Sequence, residues 1–151
     1  MITVSTKLVA LLGNPLAQSL STLMQNAAFH SCGLNYEYFP IETTEQSLAT
    51  IVAAIRWMNF AGFGVTKPDK ISVIDCLDEL DEFAQKMGAV NTVVVDKHGR
   101  LKGYNTDGIG FLRSLNEHYT KPLSESVFVC LGAPKQEQWI ERNRDALKVR
   151  V

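Results

Sequence analysis

The sequence predicts an α/β fold, a three-layer α/β/α sandwich around a mostly parallel mixed sheet. Short runs rich in branched and aromatic residues alternate with longer segments of helical spacing, a pattern typical of strands joined by crossover helices. Late in the chain, two such runs are joined by Asp96-Lys97-His98-Gly99, which is typical of a hairpin turn. Crossover helices join parallel strands whereas a hairpin adds an antiparallel one, so we expect a mixed sheet.

Each element follows from its local sequence. Clusters of apolar, branched and aromatic residues predict strands over residues 7–12, 36–41, 62–65, 91–95 and 101–104. Helical spacing predicts helices over residues 21–32, 43–59, 71–77, 80–87 and from 107 onward. Gly33 is expected to stop the first helix. Thr43 and Gln46 are three residues apart, so we expect them to form a capping box at the start of the second helix.

The composition favours one globular domain with its own core. The chain has 151 residues, of which 46% are apolar and 21% are charged, as is typical of soluble domains. Its formal net charge of −1 gives no general attraction to nucleic acid or to an anionic membrane surface. No apolar run approaches the ~20 residues of a membrane span. We therefore expect neither nucleic-acid nor membrane partners.

The three cysteines, Cys32, Cys76 and Cys130, are odd in number and far apart in the sequence. This spacing matches neither a disulfide framework nor a zinc site. We therefore expect buried structural thiols, no bound metal and a cytoplasmic location.

A proline-containing break divides the chain near residues 120–124, where the charge also shifts slightly towards basic residues. Such breaks commonly mark linkers. We therefore assign residues 1–119 to the main domain and residues 120–151 to a short C-terminal segment, predicted as a strand followed by a helix.

Polar side chains follow three of the predicted strands. Gly13–Ser21 comes after the first strand, Thr66–Lys70 after the third, and Asn105–Asp107 after the last. Ligands of open α/β sheets bind at the carboxyl ends of the parallel strands, so we expect these segments to meet at one rim. Together they offer hydroxyl and amide groups, one cation and one carboxylate, which suit a small hydroxylated acid.

Taken singly, the same residues also have ordinary structural explanations. Ser19 and Ser21 precede a helix, where serine commonly caps free N–H groups. Asp107 is suited to an N-cap by the helix dipole. A lone lysine such as Lys70 is usually solvated, and Asn91 is a normal polar entrance to a strand. Only their combination points to a site.

Four motifs occur in order along most of the chain: Gly13–Ser21 (GNPLAQSLS), Gly64–Lys70 (GVTKPDK), Gly88–Thr92 (GAVNT) and Gly103–Gly108 (GYNTDG). Together they resemble the substrate motifs of the shikimate and quinate dehydrogenase family, from residue 7 to about residue 118. The resemblance implies the substrate-binding N-terminal domain of that family. The family reaction is the NAD(P)-dependent interconversion of shikimate and 3-dehydroshikimate in aromatic amino acid biosynthesis.

The resemblance also implies a role for each matching residue. The implied substrate-binding residues are Ser19, Ser21, Thr66, Lys70, Asn91 and Asp107. The two serines would bind the substrate carboxylate, and Lys70 and Asp107 would form the catalytic pair. A lysine at the reacting hydroxyl suits this chemistry, because it stabilises a developing alkoxide and relays its proton.

Three positions depart from the family pattern. Gln18 stands where the family usually has His, and Thr22 stands where a Pro is common. Gly64 stands where the second motif has Asn, so the wall that binds the substrate hydroxyls lacks one side-chain amide.

A cofactor, NADP or NAD, is implied by the resemblance, but its usual motif is not met. The corresponding place, Val127–Gln136, has a single glycine, Gly132, followed by Pro134, whereas a dinucleotide fingerprint needs several glycines. We therefore expect no complete nucleotide-binding domain and no stable cofactor binding by this chain alone. A separate cofactor domain or a homodimer would be its partner.

Two alternatives stay open for the chain as a whole. One is a redox-inactive remnant or interaction module, from a truncated or rearranged gene, that still binds shikimate-like ligands. The other concerns the tail, about 127–151, where Leu131–Ile140 (LGAPKQEQWI) resembles a fragment of N-acetylmannosaminyl-transferring glycosyltransferases.

Overall fold

A six-stranded sheet forms the centre of the computed structural model of this chain, which describes residues 2–120. The strands are β1 (Lys7–Gly13), β2 (Tyr36–Glu42), β3 (Phe60–Val65), β4 (Glu79–Leu80), β5 (Thr92–Val95) and β6 (Leu101–Tyr104). The helices are α1 (Ser21–Ser31), α2 (Leu48–Ile55), α3 (Glu82–Met87) and α4 (Asp107–His118), with a 3₁₀ turn over Ser72–Cys76.

The sheet is mixed, as predicted, and its order is β2-β1-β3-β5-β6-β4. β1 pairs in parallel with both β2 and β3, and β6 pairs in parallel with β4. β5 is antiparallel to both of its neighbours, β3 and β6. The start of β5 therefore lies at the same edge as the ends of β3 and β6.

The two faces of the sheet carry separate apolar clusters. Ala10 and Leu12 of β1 belong to a large cluster that includes α2, whereas Leu11 between them belongs to a second cluster with Tyr38. Phe29 of α1 packs against the second cluster. Side chains alternate between the faces of a strand, so helices cover both faces. The predicted three-layer α/β/α architecture is confirmed.

The core of the larger cluster combines α2 with the strands beside it. Every third or fourth residue of α2 is buried, namely Leu48, Val52 and Ile55, which is the spacing of one helix face. Burying each such side chain stabilises the fold by roughly 1.5–3 kcal/mol. This face of the sheet therefore supplies most of the support for the strands that carry the polar loops.

The start of α2 differs from the prediction. The helix begins at Leu48 and not near Thr43, and the Thr43 side chain is buried, where its hydroxyl donates to the Asp69 carboxylate. Thr44 and Ser47 instead bond each other reciprocally, with Thr44 N–H donating to Ser47 Oγ and Ser47 N–H to Thr44 Oγ1, at 2.8 and 3.2 Å. The capping-box prediction at Thr43 and Gln46 was wrong because tertiary packing takes Thr43 out of the local cap.

Three smaller predictions also needed correction. The segment predicted as helical from residue 80 begins with a two-residue strand, β4, and the helix follows only from Glu82. The segment over residues 71–77 is a 3₁₀ turn and not an α-helix. Cys32 is exposed, contrary to the expected buried thiol, and Cys76 is partly buried.

The hairpin between β5 and β6 is held by two carboxylates. Asp96 Oδ1 accepts from the N–H groups of His98 and Arg100 at 2.7 and 2.9 Å, as the predicted turn requires. Asp78 Oδ2 accepts from Arg56 Nη1 and from Leu101 N–H at 2.6 and 2.7 Å. The Arg56 guanidinium and the Leu101 N–H lower the pKa of the Asp78 carboxyl.

The chain divides after Asp107 into two units, so α4 beyond its first residue belongs to the second. The predicted boundary between residues 119 and 120 stays a prediction. The assignments made for Val127–Gln136, for the tail at about 127–151 and for Cys130 lie outside the described residues. Within residues 2–120, no helix has the length and apolar character needed to cross a membrane.

Gly62 permits the close pairing of β3 with β5. A Cβ atom at this residue would lie 2.3 Å from the carbonyl oxygen of Val93 on the neighbouring backbone. We predict that Gly62→Ala destabilises the protein by about 2 kcal/mol, since one strand has to shift. Urea unfolding at pH 7 measures the change. Gly110→Ala is the control, because a Cβ there meets no described atom within 4 Å, and an unchanged stability of Gly62→Ala would contradict the pairing.

Asp78 should make the free energy of unfolding depend on pH in the acid range. A carboxyl whose pKa is lowered in the folded state stabilises the fold at pH values above its pKa in the unfolded state, ~3.9. It loses this effect as the pH falls through its pKa in the folded state. We predict that Asp78→Asn lowers the free energy of unfolding by about 1 kcal/mol at pH 7, with a smaller difference at pH 3. Urea titrations at both pH values measure it, and a difference independent of pH would disprove the assignment.

Candidate active site

Lys70 and Asp107 form an ion pair at the edge of the sheet. Lys70 Nζ lies 2.6 Å from Asp107 Oδ2, and the two side chains are 31% and 54% exposed. Lys70 follows β3, and Asp107 follows β6 as the first residue of α4. Because exposed ion pairs contribute only about 0–1 kcal/mol to folding, this pair does little for stability. Its charges are instead accessible to a ligand.

Asn91 holds the other side of the Asp107 carboxylate. Its Nδ2 atom donates to Asp107 Oδ1 at 2.7 Å and to Thr106 Oγ1 at 2.9 Å. Its Oδ1 atom accepts from Thr106 N–H at 3.0 Å. The carboxylate therefore sits between an ammonium group and an amide group, with its two oxygens oriented by different partners.

Main-chain hydrogen bonds also fix this arrangement. Val90 N–H donates to Lys70 O at 2.7 Å, and Asn91 N–H donates to Tyr104 O at 3.0 Å. Asn105 is buried, and its side chain accepts from Asp107 N–H at 3.1 Å and donates to Ala89 O at 3.0 Å. The lysine, the asparagine and the aspartate are thus joined by main chain as well as by side chains.

The loop after β3 is tied to the ends of β1 and β2. Thr66 N–H donates to Leu12 O at 2.8 Å, and Asn14 N–H donates to Lys67 O at 3.0 Å. Asp69 is buried and accepts from the Thr43 hydroxyl. Buried contacts of this kind hold Thr66 beside the β1 loop and leave little freedom to the segment that ends at Lys70.

Ser19 and Ser21 lie together at the start of α1. Ser19 Oγ accepts from Ser21 N–H at 3.3 Å, and the N-cap residue, Leu20, makes no side-chain capping bond. The Ser21 hydroxyl has no hydrogen-bond partner among residues 2–120. An uncapped helix N-terminus carries free N–H groups and partial positive charge, which suit an anion.

A shallow cavity of about 360 Å³ lies beside Ser19, lined also by Leu16, Ala17, Thr22, Pro40 and Glu42. Glu42 ends β2, and its Oε1 atom accepts from Leu16 N–H at 2.8 Å. Sequence reasoning missed Glu42, whose only local indication was its position directly after the predicted strand over residues 36–41. It shapes the loop that presents Ser19.

The structure brings the predicted site residues into two neighbouring groups. Lys70, Asn91 and Asp107 form one hydrogen-bonded network, while Ser19 and Ser21 form the other. In the described part of the chain no hydrogen bond links the two groups. The Asn14–Lys67 contact joins the loops that carry them, with Thr66 on the second loop.

A family model described as the shikimate dehydrogenase substrate binding domain matches residues 11–93, which is more than half of the chain. The chain belongs to the shikimate dehydrogenase substrate-binding domain family. It is 42% identical over 127 residues to a protein of Bacillus cereus (strain 03BB102) named shikimate dehydrogenase (NADP(+)), a match that covers 84% of this chain and 46% of that protein. The chain therefore spans about half the length of such relatives.

Solved structures of shikimate dehydrogenases share the fold. The enzyme of Aquifex aeolicus matches with a TM-score of 0.87 and 33% identity, over 100% of this chain and 56% of that one. The shikimate 5-dehydrogenase of Listeria monocytogenes, solved in complex with shikimate and NAD, matches with a TM-score of 0.82 and 35% identity, over 98% and 50%. The predicted family and fold are both confirmed.

The described residues of this family member do not fit a dinucleotide of the glycine-rich type. Such a site needs a strand, a loop with several glycines and a helix. β1 ends in Gly13, and the loops that follow β1 and β3 contain no glycine. β6 and the first turn of α4 carry Gly103, Gly108 and Gly110, but Arg113 stands where the third glycine of the fingerprint would be. In the same described range, no group of three or more potential metal-binding side chains occurs.

Proposed function

We propose that this chain binds shikimate and supplies the acid–base side of a shikimate dehydrogenase reaction. The observation that carries the proposal is the network of Lys70, Asn91 and Asp107, in which a lysine ammonium 2.6 Å from a carboxylate lies partly exposed at the sheet edge. The family membership and the shikimate complex of the Listeria protein support it.

The carboxylate of the substrate would lie at Ser19 and Ser21. The free Ser21 hydroxyl and the uncapped start of α1 offer hydrogen-bond donors to an anion. Glu42 lines the same cavity with a negative charge, so the carboxylate must approach from the serine side. This orients the ring of the substrate towards Thr66 and the Lys70 network.

Lys70 would act on the reacting oxygen. Oxidation of an alcohol removes a hydride from carbon and a proton from oxygen, and negative charge develops on that oxygen. Lys70 Nζ takes up this proton as the free amine, and the ammonium so formed stabilises the charge on the oxygen. In the reverse direction the ammonium donates a proton to the carbonyl oxygen. Asp107 orients Nζ with one oxygen, while Asn91 fixes its other oxygen.

The redox partner of this step would be a nicotinamide cofactor, NADP or NAD. The Bacillus relative is named for NADP(+), and the Listeria structure contains NAD. Since the described residues do not fit a dinucleotide, we place the cofactor site in the part of the relatives that this chain does not match. Quinate is the alternative substrate, and the homodimer, the separate cofactor domain and the cytoplasmic location stay predictions.

The redox-inactive alternative explains the site less well. A pure binding module needs hydrogen-bonding groups for the carboxylate and hydroxyls, and Lys70 could serve as one of them. Binding alone does not need Nζ to be oriented by an aspartate that is itself held by Asn91, whereas proton transfer does. The pair adds little stability. We therefore favour the catalytic role.

Shikimate should bind to the purified 151-residue chain with a millimolar or tighter dissociation constant, equivalent to about −4 kcal/mol. Replacing both Ser19 and Ser21 by Ala should weaken binding about tenfold, because hydrogen bonds to a carboxylate are lost. Lys70→Met should have a similar effect. Isothermal titration calorimetry measures all three dissociation constants.

Lys67→Met is the matched control for Lys70→Met, since Lys67 is exposed in the same loop and is expected to change the affinity less than about twofold. Equal losses for the two lysines would indicate general charge attraction in place of a site. A folded wild-type chain that binds neither shikimate nor quinate at millimolar concentrations would refute the proposal.

The chain alone should bind shikimate without oxidising it. We expect no nicotinamide reduction when it is mixed with shikimate and NADP or NAD, because the described residues do not fit the cofactor. Absorbance at the nicotinamide band monitors the reaction, with a full-length shikimate dehydrogenase as the positive control. Turnover by the chain alone would contradict our placement of the cofactor site.

A further inference from the structure

The partly buried side of helix α1, which contacts β2, is mostly polar. Its residues have the spacing of one helix face and are Ser21, Thr22, Gln25, Asn26 and Phe29. Phe29 is the apolar one, and it packs against the cluster around Leu11 and against the Tyr36 ring. The larger apolar side chains of this region, Leu20, Leu23 and Met24, are exposed. Apolar burial therefore holds the end of α1 that lies away from the candidate site.

The start of α1, which carries the two serines of the site, has little support of its own. Leu20 makes no side-chain capping bond, and no residue of α1 is fully buried. The first turn of a helix without a cap frays readily. The position of Ser19 and Ser21 therefore depends on contacts made by residues on either side of them.

Asn26 makes the contact on the helix side. Its Oδ1 atom accepts from Tyr38 N–H and its Nδ2 atom donates to Tyr38 O, both at 2.8 Å. β2 is an edge strand, so the amide takes the place of the neighbouring strand that β2 lacks on this side. Tyr38 lies in the middle of β2 and is buried. Asn26 thus ties α1 to a rigid part of the sheet.

Glu42 makes the contact on the loop side. Its carboxylate accepts from Leu16 N–H at 2.8 Å, and Glu42 also belongs to β2. The segment with Ser19 and Ser21 therefore lies between two side-chain contacts to the same strand. Asn26 follows Ser21 by five residues, which is about 7.5 Å along a helix axis. A loss of the Asn26 contact would reach the serines directly.

We infer that Asn26 is a positioning residue for the carboxylate of the bound hydroxylated acid. It acts through α1, without touching the ligand, and keeps the Ser21 hydroxyl and the free N–H groups of the first turn in place. Groups that are fixed before binding lose less freedom when the ligand arrives, which strengthens binding. The inference rests on the proposed shikimate binding and adds a residue outside the four sequence motifs.

The first test compares Asn26→Ala with Gln25→Ala. Gln25 is a matched control because it lies on the same partly buried face of α1 and makes no side-chain hydrogen bond among residues 2–120. Calorimetric titration with shikimate, at a temperature where all variants are folded, should show about tenfold weaker binding for Asn26→Ala, since both bonds to β2 are lost. Gln25→Ala should change the dissociation constant less than about twofold.

A double-mutant cycle separates positioning from a general effect on the fold. When Ser19 and Ser21 are both replaced by Ala, most of the carboxylate contacts that Asn26 positions are already gone. Adding Asn26→Ala to that variant should therefore weaken binding less than about threefold, because coupled residues are not additive. A full tenfold loss in that background would show that Asn26 does not act through the serines, and would overturn the inference.

Asn26→Asp is the second variant. It keeps the acceptor for Tyr38 N–H but places a carboxylate oxygen against Tyr38 O, where the amide donates. It should bind shikimate at pH 7 about threefold to tenfold more weakly than the wild type, and it serves as the test if Asn26→Ala does not fold. If neither variant folds, Asn26 supports the whole domain and the inference is wrong.

The remaining outcomes separate this inference from the proposed function. If the wild type binds shikimate and the folded Asn26 variants bind it equally well, the inference is wrong and the proposed function stands. Equal losses for Asn26→Ala and Gln25→Ala would also contradict it, because any change on this face of α1 would then suffice. If the folded wild type binds no shikimate, both are overturned.

Discussion

The ion pair between Lys70 and Asp107 depends on one antiparallel strand. β3 and β6, whose ends lead to the two charged residues, run in the same direction with β5 between them in the opposite direction. The reversal brings the start of β5, and therefore Asn91, to the edge where its neighbours end. Asn91 can then bond the Asp107 carboxylate that Lys70 bonds from the other side. A parallel strand in this place would put Asn91 at the opposite edge.

Rigidity around the site comes from the backbone and from buried groups. The exposed charges contribute little to it. Gly62 lets β5 approach β3 closely, Asp69 anchors the loop before Lys70 to Thr43, and Asn105 holds the turn before Asp107. These groups are buried, whereas the side chains they position are partly exposed. Such a division suits a binding site, since the exposed groups exchange solvent for ligand without loss of the fold.

Much of this arrangement was predictable from the sequence because it depends on local patterns. Alternation and apolar clusters located five of the six strands, and the polar segments after strands indicated the site edge. β4 was missed because two residues carry no periodicity. The capping box failed because Thr43 bonds to Asp69, 26 residues away. Glu42 could not be assigned, since its role depends on a contact between the end of β2 and the loop after β1.

The close approach of the Tyr38 hydroxyl to Gly64 illustrates that limit. β1 lies between β2 and β3, with Leu11 paired to Gly64 and Val9 to Tyr38. Strands are spaced by about 4.8 Å, so roughly 10 Å of sheet separates β2 from β3. Only a long side chain on β2 can carry a polar atom over Leu11 to residue 64, and only a glycine at 64 leaves room for it. Neither residue, taken by itself, indicates that the two lie close together. The contact arises from the order of the strands in the sheet, which no local pattern in either segment encodes.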